Sequence, residues 1–385
     1  MKKFAYALIG DELEIKKNIR FEVDKNGRFQ NLIYDNFDKK ITHSPNTPTF
    51  LVLPGLINSH VHIGDSFAKE WGFNKNLIDV VAPPDGIKHK LLRKISPEIK
   101  KGGIIKAAEE MLSNGITYFM DFREGGLEGI KTLKRALMSS PIKYRIFGRF
   151  STLDEIKQIF KEADGIGLSS YKNIIPQVRT LLEESKVQYN KLITTHYAEG
   201  KRKEQRFKAI IKDELIDIII HGTHLSKNDL VKLRENGISL VFCPRSNGYF
   251  GVGFPPIQDV IDLNIPISLG TDNIMNIRPD LFEELRYLFL IFKVLNKPNR
   301  KNTLNAKELL KMITINAARS FGIQKRVGSI KEGKDADFIV INLKDPNFYC
   351  SSVDRNNIYP LIVQRTHPIN IKQVYIQGEK VVERN

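Results

Sequence analysis

The feature that most constrains the fold of this chain is an alternation of strand-like and helix-like segments from about residue 51 onward. Short apolar runs with strand character are separated mostly by amphipathic stretches with helical periodicity, which is the pattern of repeated β/α units. The predicted strands span 51–58, 116–122, 144–150, 164–168, 192–196, 216–221, 238–243 and 265–270. This pattern predicts an α/β fold with a (β/α)8 barrel of the TIM type, in which chemistry takes place at the carboxyl ends of the strands.

The two ends of the chain have a different pattern. Residues 1–50 contain short alternating segments broken by turn signals such as Asn26-Gly27, and residues 323–385 return to strand-like runs such as 371–376. Such runs are typical of small antiparallel β units. We therefore expect both ends to form one small β-sandwich domain, beside a barrel domain over residues 51–322.

Composition argues against several other classes of protein. The net charge of +16 comes from Lys and Arg residues scattered along the whole length, so we expect no nucleic-acid partner, which would favour a concentrated basic arm. Cys243 and Cys350 are too far apart for a disulfide framework or a cysteine zinc site, which favours a reducing cytoplasm. The apolar run near the start resembles neither a signal peptide nor a membrane span.

Metal-competent side chains follow four of the predicted strands. His60 and His62 come after the first strand, His196 after the fifth, His221 after the sixth and Asp272 after the eighth. One histidine at a strand end is usually structural, but the carboxyl ends of all barrel strands meet at one mouth. Three imidazoles and a carboxylate converging there are what a catalytic divalent ion requires, with one position left for water.

Longer motifs surround these residues. They are LPGLINSHVH (53–62), His196-x-x-Glu199, HGTHLS (221–226), CPRSN (243–247), GTD (270–272) and GSIKEGKDAD (328–337). Together they resemble the amidohydrolase superfamily, and most closely its aminohydrolases that deaminate nucleobases and nucleosides, with related chlorohydrolases. The resemblance extends over almost the whole chain, and the motifs occur in the family's order.

The resemblance implies a role for each residue at the barrel mouth. One metal ion would be held by His60, His62, His196 and Asp272. Glu199 would protonate a ring nitrogen of the substrate, His221 would orient the attacking hydroxide, and Asp272 would accept its proton. These roles agree with the chemistry, because a divalent ion lowers the pKa of bound water towards about 7 and a positioned carboxyl group can transfer a proton.

The fourth predicted strand bears on the number of metal ions. Binuclear members of the superfamily use a bridging carboxylated lysine at its end, but residues 164–171 read DGIGLSSY and Lys172 lies too far into the loop. We therefore expect one divalent ion per chain. Zinc is the expected ion and iron the alternative, because these ligands suit both.

Side chains from several loops are predicted to contact the substrate. They are Trp71, Arg123, Arg149, Arg245 and Asn247. Trp71, in the long segment 64–98, can stack on a heterocycle or pack within the loop. The arginines suit a carboxylate or phosphate, and the alternative is ion pairing with acids such as Asp121 or Glu124. Asn247 suits recognition of a base edge, whereas we assign His224 a structural or supporting role.

The leading hypothesis is a metal-dependent aminohydrolase acting on a purine, a pyrimidine or a related small nitrogen heterocycle. The same activated water can also hydrolyse a cyclic or linear amide or remove chlorine. A non-catalytic barrel scaffold or a basic nucleic-acid binder is the alternative from another class. The scaffold is disfavoured because every ligand position is filled. Association into a homo-oligomer stays open.

Overall fold

The computed structural model describes residues 1–37, 40–41, 49–172, 174–296, 304–350 and 352–384. Its strands are β1 (Lys2–Ile9), β2 (Glu14–Val23), β3 (Phe29–Asn36), β4 (Lys40–Ile41), β5 (Phe50–Pro54), β6 (Leu56–His62), β7 (Ile116–Arg123), β8 (Lys143–Gly148), β9 (Gly165–Leu168), β10 (Leu192–Tyr197), β11 (Ile218–His221), β12 (Ser239–Phe242), β13 (Ile267–Leu269), β14 (Asp272–Asn273), β15 (Phe338–Asn342), β16 (Val353–Asp354), β17 (Ile371–Ile376) and β18 (Glu379–Glu383).

Helices follow most of the central strands. They are α1 (Leu77–Val81), α2 (Ile87–Lys94), α3 (Pro97–Ser113), α4 (Gly126–Ala136), α5 (Glu155–Glu162), α6 (Pro176–Tyr189), α7 (Glu204–Asp213), α8 (Lys227–Glu235), α9 (Pro244–Tyr249), α10 (Ile257–Asp262), α11 (Leu281–Leu295), α12 (Ala306–Met312), α13 (Ile315–Ser320) and α14 (Ile358–Arg365).

The central sheet has nine parallel strands in the order β13-β12-β11-β10-β9-β8-β7-β6-β14. Apart from β14, each strand corresponds to one of the predicted strands. β14 follows β13 closely in the chain and pairs with β6, with Asp272 opposite Val61, so the sheet curls back towards its first strand in a TIM-like barrel. β6, β9 and β11 are buried throughout, as parallel strands covered on both faces are.

Strands from both chain ends form a second sheet in the order β18-β17-β15-β5-β1-β2-β3. One of its faces is closed by aromatic side chains: the ring of Phe21 lies 5.1 Å from that of Phe29 and 5.4 Å from that of Phe338. The predicted joining of the two ends is therefore confirmed. The predicted β-sandwich takes the form of one continuous sheet, accompanied by the short pair β16-β4.

The strand predicted over residues 51–58 is in fact two strands. Residues 50–54 belong to the end sheet, where β5 lies between β15 and β1, and the barrel strand β6 begins at Leu56. The chain changes sheets at Gly55, where an added Cβ would lie only 2.2 Å from Thr117 Oγ1. A continuous apolar run does not reveal such a change, because both strands are buried.

A second segment also differs from the prediction. Residues 64–98, predicted as a loop, contain the helices α1 and α2. α1 and α2 are too short to show helical periodicity clearly in sequence. They place a wall of side chains beside the carboxyl ends of the barrel strands.

Among the described residues, none of the helices combines the length and the apolar character that crossing a membrane requires.

Candidate metal and active site

Four predicted metal ligands converge at the carboxyl ends of β6, β10 and β13. His60 Nε2 lies 3.2 Å from Asp272 Oδ1, and His62 Nε2 lies 3.4 Å from His196 Nε2 and 3.6 Å from Asp272 Oδ1. Ligand atoms about 2.0–2.1 Å from a tetrahedral zinc ion stand about 3.3 Å from one another. These three separations, from 3.2 to 3.6 Å, are close to that value.

The hydrogen bonds of two histidines strengthen this fit. His62 Nδ1 donates to Phe122 O at 2.9 Å, and His196 Nδ1 donates to Leu168 O at 3.0 Å. Since the N–H of each ring is on Nδ1, each Nε2 carries a lone pair, and the two lone pairs face each other. Two lone pairs at 3.4 Å repel, and a cation between them removes the repulsion. The donor set of imidazoles and one carboxylate therefore suits a divalent ion such as zinc.

Asp272 is held by neighbours on both sides. Ser246 Oγ donates to its Oδ2 at 2.5 Å, which leaves Oδ1 beside His60. Burial raises the pKa of Asp272, but the hydrogen bond from His60 and the nearby imidazoles of His221 and His62 outweigh it and hold the pKa well below its usual value. Burial lowers the pKa of His60 to about 3. The site thus contains an ionised carboxylate and a neutral imidazole, the forms that bind metals.

The backbone at this mouth is strained at two functional positions. His221 and Asp272 have φ values of +72° and +64°. Residues other than glycine adopt this left-handed conformation rarely, at a cost of about 1–3 kcal/mol, and it clusters where function requires a fixed side-chain direction. Here it turns both side chains inward from the ends of their strands.

Glu199 and His221 lie beside the predicted metal ligands. His221 Nε2 is 3.6 Å from Glu199 Oε1, and its Nδ1 donates to Asn247 Oδ1 at 3.1 Å. Asn247 is oriented by its own bond, since its Nδ2 donates to Thr223 Oγ1 at 2.8 Å. These two hydrogen bonds fix the ring of His221 and leave its Nε2 facing Glu199. Burial raises the pKa of the Glu199 carboxyl, so this group holds a proton more readily than an exposed glutamate does.

A cavity of about 330 Å³ opens over these residues. Its floor contains five of the predicted functional residues, namely His62, His196, Glu199, His221 and Asp272. Its apolar wall comes from residues 77–83, and polar groups line the rest: Lys88, His89, Glu124, Arg149, Ser169, Ser170, Arg206 and Asn273. The volume is at the small end of the range for small-molecule sites.

The predicted substrate-binding residues have different positions. Arg149 lines the cavity, and its buried Nε lacks a hydrogen-bond partner among the described residues. Trp71 does not line the cavity and its side chain is 64% exposed. Asn247 contacts His221 rather than the cavity, and the Nε2 of His224 donates to Val252 O.

Arg123 and Arg245 do not line this cavity, and both are engaged in ion pairs. Arg123 lies 3.5 Å from Asp121 and 3.2 Å from Glu124, and it is buried. Arg245 lies 2.9 Å from Glu283 and 3.5 Å from Glu284. Both arginines therefore take the alternative role of pairing with acids. Their guanidinium groups are already neutralised, which leaves less charge for a substrate.

Several residues of the site were missed in the sequence. Lys88 and Arg206 line the cavity, Glu124 lies 2.7 Å from His62 Nδ1, and Ser246 holds Asp272. Ser246 had a signal, since it belongs to the motif 243–247. Lys88 had none, because it is one of several lysines in a segment without clear periodicity.

Fold and site together define a metal-dependent hydrolase of the TIM-barrel type. Residues 51–381 match the Amidohydrolase family, and the chain belongs to that family. This confirms the resemblance noted in the sequence motifs. The protein is therefore an enzyme that hydrolyses carbon–nitrogen bonds other than peptide bonds.

Individual relatives agree with this assignment. An uncharacterized protein of Methanocaldococcus jannaschii is 34% identical over 76% of this chain and 78% of its own. The 5-methylthioadenosine/S-adenosylhomocysteine deaminase of Thermoanaerobacter pseudethanolicus is 27% identical over 86% of this chain and 82% of its own. The crystal structure of the atrazine chlorohydrolase of Arthrobacter aurescens TC1, complexed with zinc, has a TM-score of 0.78 at 17% identity and covers 99% of this chain and 94% of its own. At that identity the likeness shows the fold.

Proposed function

We propose that the protein deaminates a small nitrogen heterocycle of the purine, pyrimidine or nucleoside class. The observation that carries this proposal is the position of Glu199, a partly buried carboxyl group that lines the cavity 3.6 Å from His221 and beside the predicted metal ligands. A proton donor there can reach a ring nitrogen while water attacks the adjacent carbon. The deaminase relative supports the same reaction class.

We assign a role in this reaction to each residue of the site. A divalent ion, when bound by His60, His62, His196 and Asp272, would lower the pKa of a water ligand so that hydroxide is available near neutral pH. Asp272 accepts the proton of the attacking water. Glu199 donates a proton to the ring nitrogen, and His221 hydrogen-bonds the attacking oxygen. Asp272 then passes the proton that it accepted to the exocyclic amino group, which leaves as ammonia, while the new hydroxyl returns a proton to Glu199 and its oxygen stays on the ring carbon as a carbonyl.

We further propose one ion per chain, with zinc as the metal and iron as the alternative. β9 reads Gly-Ile-Gly-Leu and therefore supplies no lysine that could bridge a second ion. The zinc-containing structure with the same fold supports zinc. The cytoplasm is the proposed compartment, supported by the two free thiols of Cys243 and Cys350.

We also propose that the substrate carries an anionic group, which Arg149 binds. Its guanidinium is the one among the predicted arginines that lines the cavity, and its Nε has no protein partner among the described residues. A buried N–H group without an acceptor is costly, and a carboxylate or phosphate on the substrate would provide one. Arg206 lines the same cavity and adds to its positive charge.

An ammonia-release screen tests the proposed reaction. The panel contains purine and pyrimidine bases, nucleosides, pterins and their phosphorylated forms, with Asp272→Asn as the blank and metal content measured in parallel. We expect about one zinc or iron per chain and ammonia from at least one compound. If no compound gives ammonia above the blank while the metal is present, amide hydrolysis replaces deamination as the proposed reaction.

A further inference from the structure

Lys88 is the one lysine in the wall of the cavity, among the described residues, and it is almost completely buried. Its side chain is 2% exposed, on the helix α2 that covers the barrel mouth. Its Nζ donates to Asn273 Oδ1 at 2.8 Å and lies 2.6 Å from Glu124 Oε1 and 3.2 Å from Asp65 Oδ2. A buried ammonium group is expensive unless it is paired. These three contacts compensate the buried charge and hold the Lys88 side chain in one position.

Glu124 connects Lys88 to a metal ligand. Its Oε1, the oxygen nearest Lys88, also lies 2.7 Å from His62 Nδ1. The Nδ1 proton of His62 is directed at Phe122 O, so the carboxylate acts on the ring mainly through its charge. Negative charge beside Nδ1 makes the opposite nitrogen, Nε2, a stronger electron-pair donor.

The other two histidine ligands lack such a neighbour. His196 Nδ1 donates to the carbonyl of Leu168, and His60 Nδ1 has no hydrogen-bond partner among the described residues. The carboxylate therefore distinguishes His62 from both. Glu124 can stay ionised in this buried position because two cations pair with it. Lys88 Nζ lies 2.6 Å from its Oε1, and Arg123 Nη2 lies 3.2 Å from its Oε2.

We propose that Lys88 and Glu124 are positioning residues for the metal site, with Glu124 polarising His62 and Lys88 holding Glu124 against it. The proposal rests on the proposed metal site but not on the substrate. Lys88 also joins both halves of that site, because Asp65 follows the strand of His62 while Asn273 directly follows Asp272. Loss of Lys88 would leave Arg123 as the main cation near Glu124 and would draw the carboxylate away from His62.

Metal affinity measured on the whole protein tests this proposal. The variants are Glu124→Gln, which keeps the shape and removes the charge, Lys88→Met, and the conservative Lys88→Arg. The matched control is Lys143→Met, because Lys143 also contacts two carboxylates, Asp335 at 2.8 Å and Asp337 at 2.7 Å, but at the start of β8, the opposite end of the barrel. Zinc dissociation constants are measured by competition with a chromophoric chelator, and folding is checked by circular dichroism.

We expect Glu124→Gln and Lys88→Met each to weaken zinc binding by about 10- to 100-fold, as loss of a group behind a ligand usually does. Lys88→Arg should recover part of that loss. Lys143→Met should lower the melting temperature while its zinc affinity stays within about twofold of the parent. The visible spectrum of the cobalt-substituted protein should change in the first two variants and not in the control.

Unchanged zinc affinity and an unchanged cobalt spectrum in folded Glu124→Gln and Lys88→Met would overturn the proposal. If Glu124→Gln does not fold, Lys88→Met and Lys88→Arg decide the question by the same criterion. Absence of deaminase activity in the parent protein would contradict the proposed reaction alone, since the metal measurement needs no substrate.

Discussion

His62 Nε2 and His196 Nε2 lie 3.4 Å apart with their protons placed at the other nitrogen of each ring. Removing the metal with a chelator should therefore lower the melting temperature as well as the activity. An ion present at 100 times its dissociation constant stabilises the folded state by about 2.7 kcal/mol. Differential scanning calorimetry before and after zinc is restored measures the effect.

The control for the metal prediction is the variant His196→Asn, whose melting temperature should respond much less to chelator. A parent protein that binds no zinc, and whose melting temperature and activity are the same with and without chelator, would contradict the prediction.

Replacing Glu199 by Gln should lower kcat by about 10²- to 10⁴-fold, because the amide cannot donate the proton that the ring nitrogen takes up as water attacks. KM and the zinc content should change little, since Glu199 is not among the proposed ligands. Steady-state kinetics and metal analysis provide the measurement. Glu204→Gln is the control, because Glu204 begins helix α7 and is about half exposed. Equal kcat values for the two variants would refute the assigned role.

Arg149→Ala should raise KM for an anionic substrate far more than for a neutral analogue, since Arg149 lines the cavity and its Nε has no hydrogen-bond partner among the described residues. Loss of one charge-assisted pair corresponds to about 1.5–3 kcal/mol, or about 10- to 100-fold. Arg123→Ala, by contrast, should lower the melting temperature, because Arg123 compensates Asp121 and Glu124. KM values that rise equally for both substrates in Arg149→Ala would exclude charge recognition.

Stability should fall at high pH because of Glu284. Burial raises the pKa of this carboxyl to about 8 despite Arg245 at 3.5 Å. A folded-state pKa above the unfolded value favours the protonated form, so the stabilisation is complete below about pH 4.5 and is lost as pH rises through about 8. Glu284→Gln stays neutral, and its melting temperature relative to the parent should increase between about pH 5 and about pH 9.

The partly exposed neighbour Glu283 provides the matched control for the pH experiment. The difference in melting temperature between Glu283→Gln and the parent should not increase with pH. A parallel pH profile for Glu284→Gln and the parent protein would show that Glu284 is not the group responsible.

The meeting of His60, His62, His196 and Asp272 could be predicted because each lies at or directly after a strand end, and parallel strands of a barrel end at one mouth whatever the loops do. The direction of the arginine side chains could not be predicted. Arg123 and Arg149 both follow barrel strands, yet one is buried between acids and the other lines the cavity. Lys88 reaches the site through a short helix in a long segment, and its contacts depend on tertiary packing that leaves no periodic signal.

The change of sheets at Gly55 gives the order in which the enzyme can be completed during synthesis. β5, directly before the strand of His60 and His62, lies between β1 near the amino terminus and β15 at residues 338–342. β5 can therefore pair with β1 soon after both strands are made, whereas its other edge stays open until residues 338–342 have left the ribosome. The strand β6, which carries the predicted ligands His60 and His62, thus directly follows a strand that is paired on both edges only after every strand of the barrel sheet has been made.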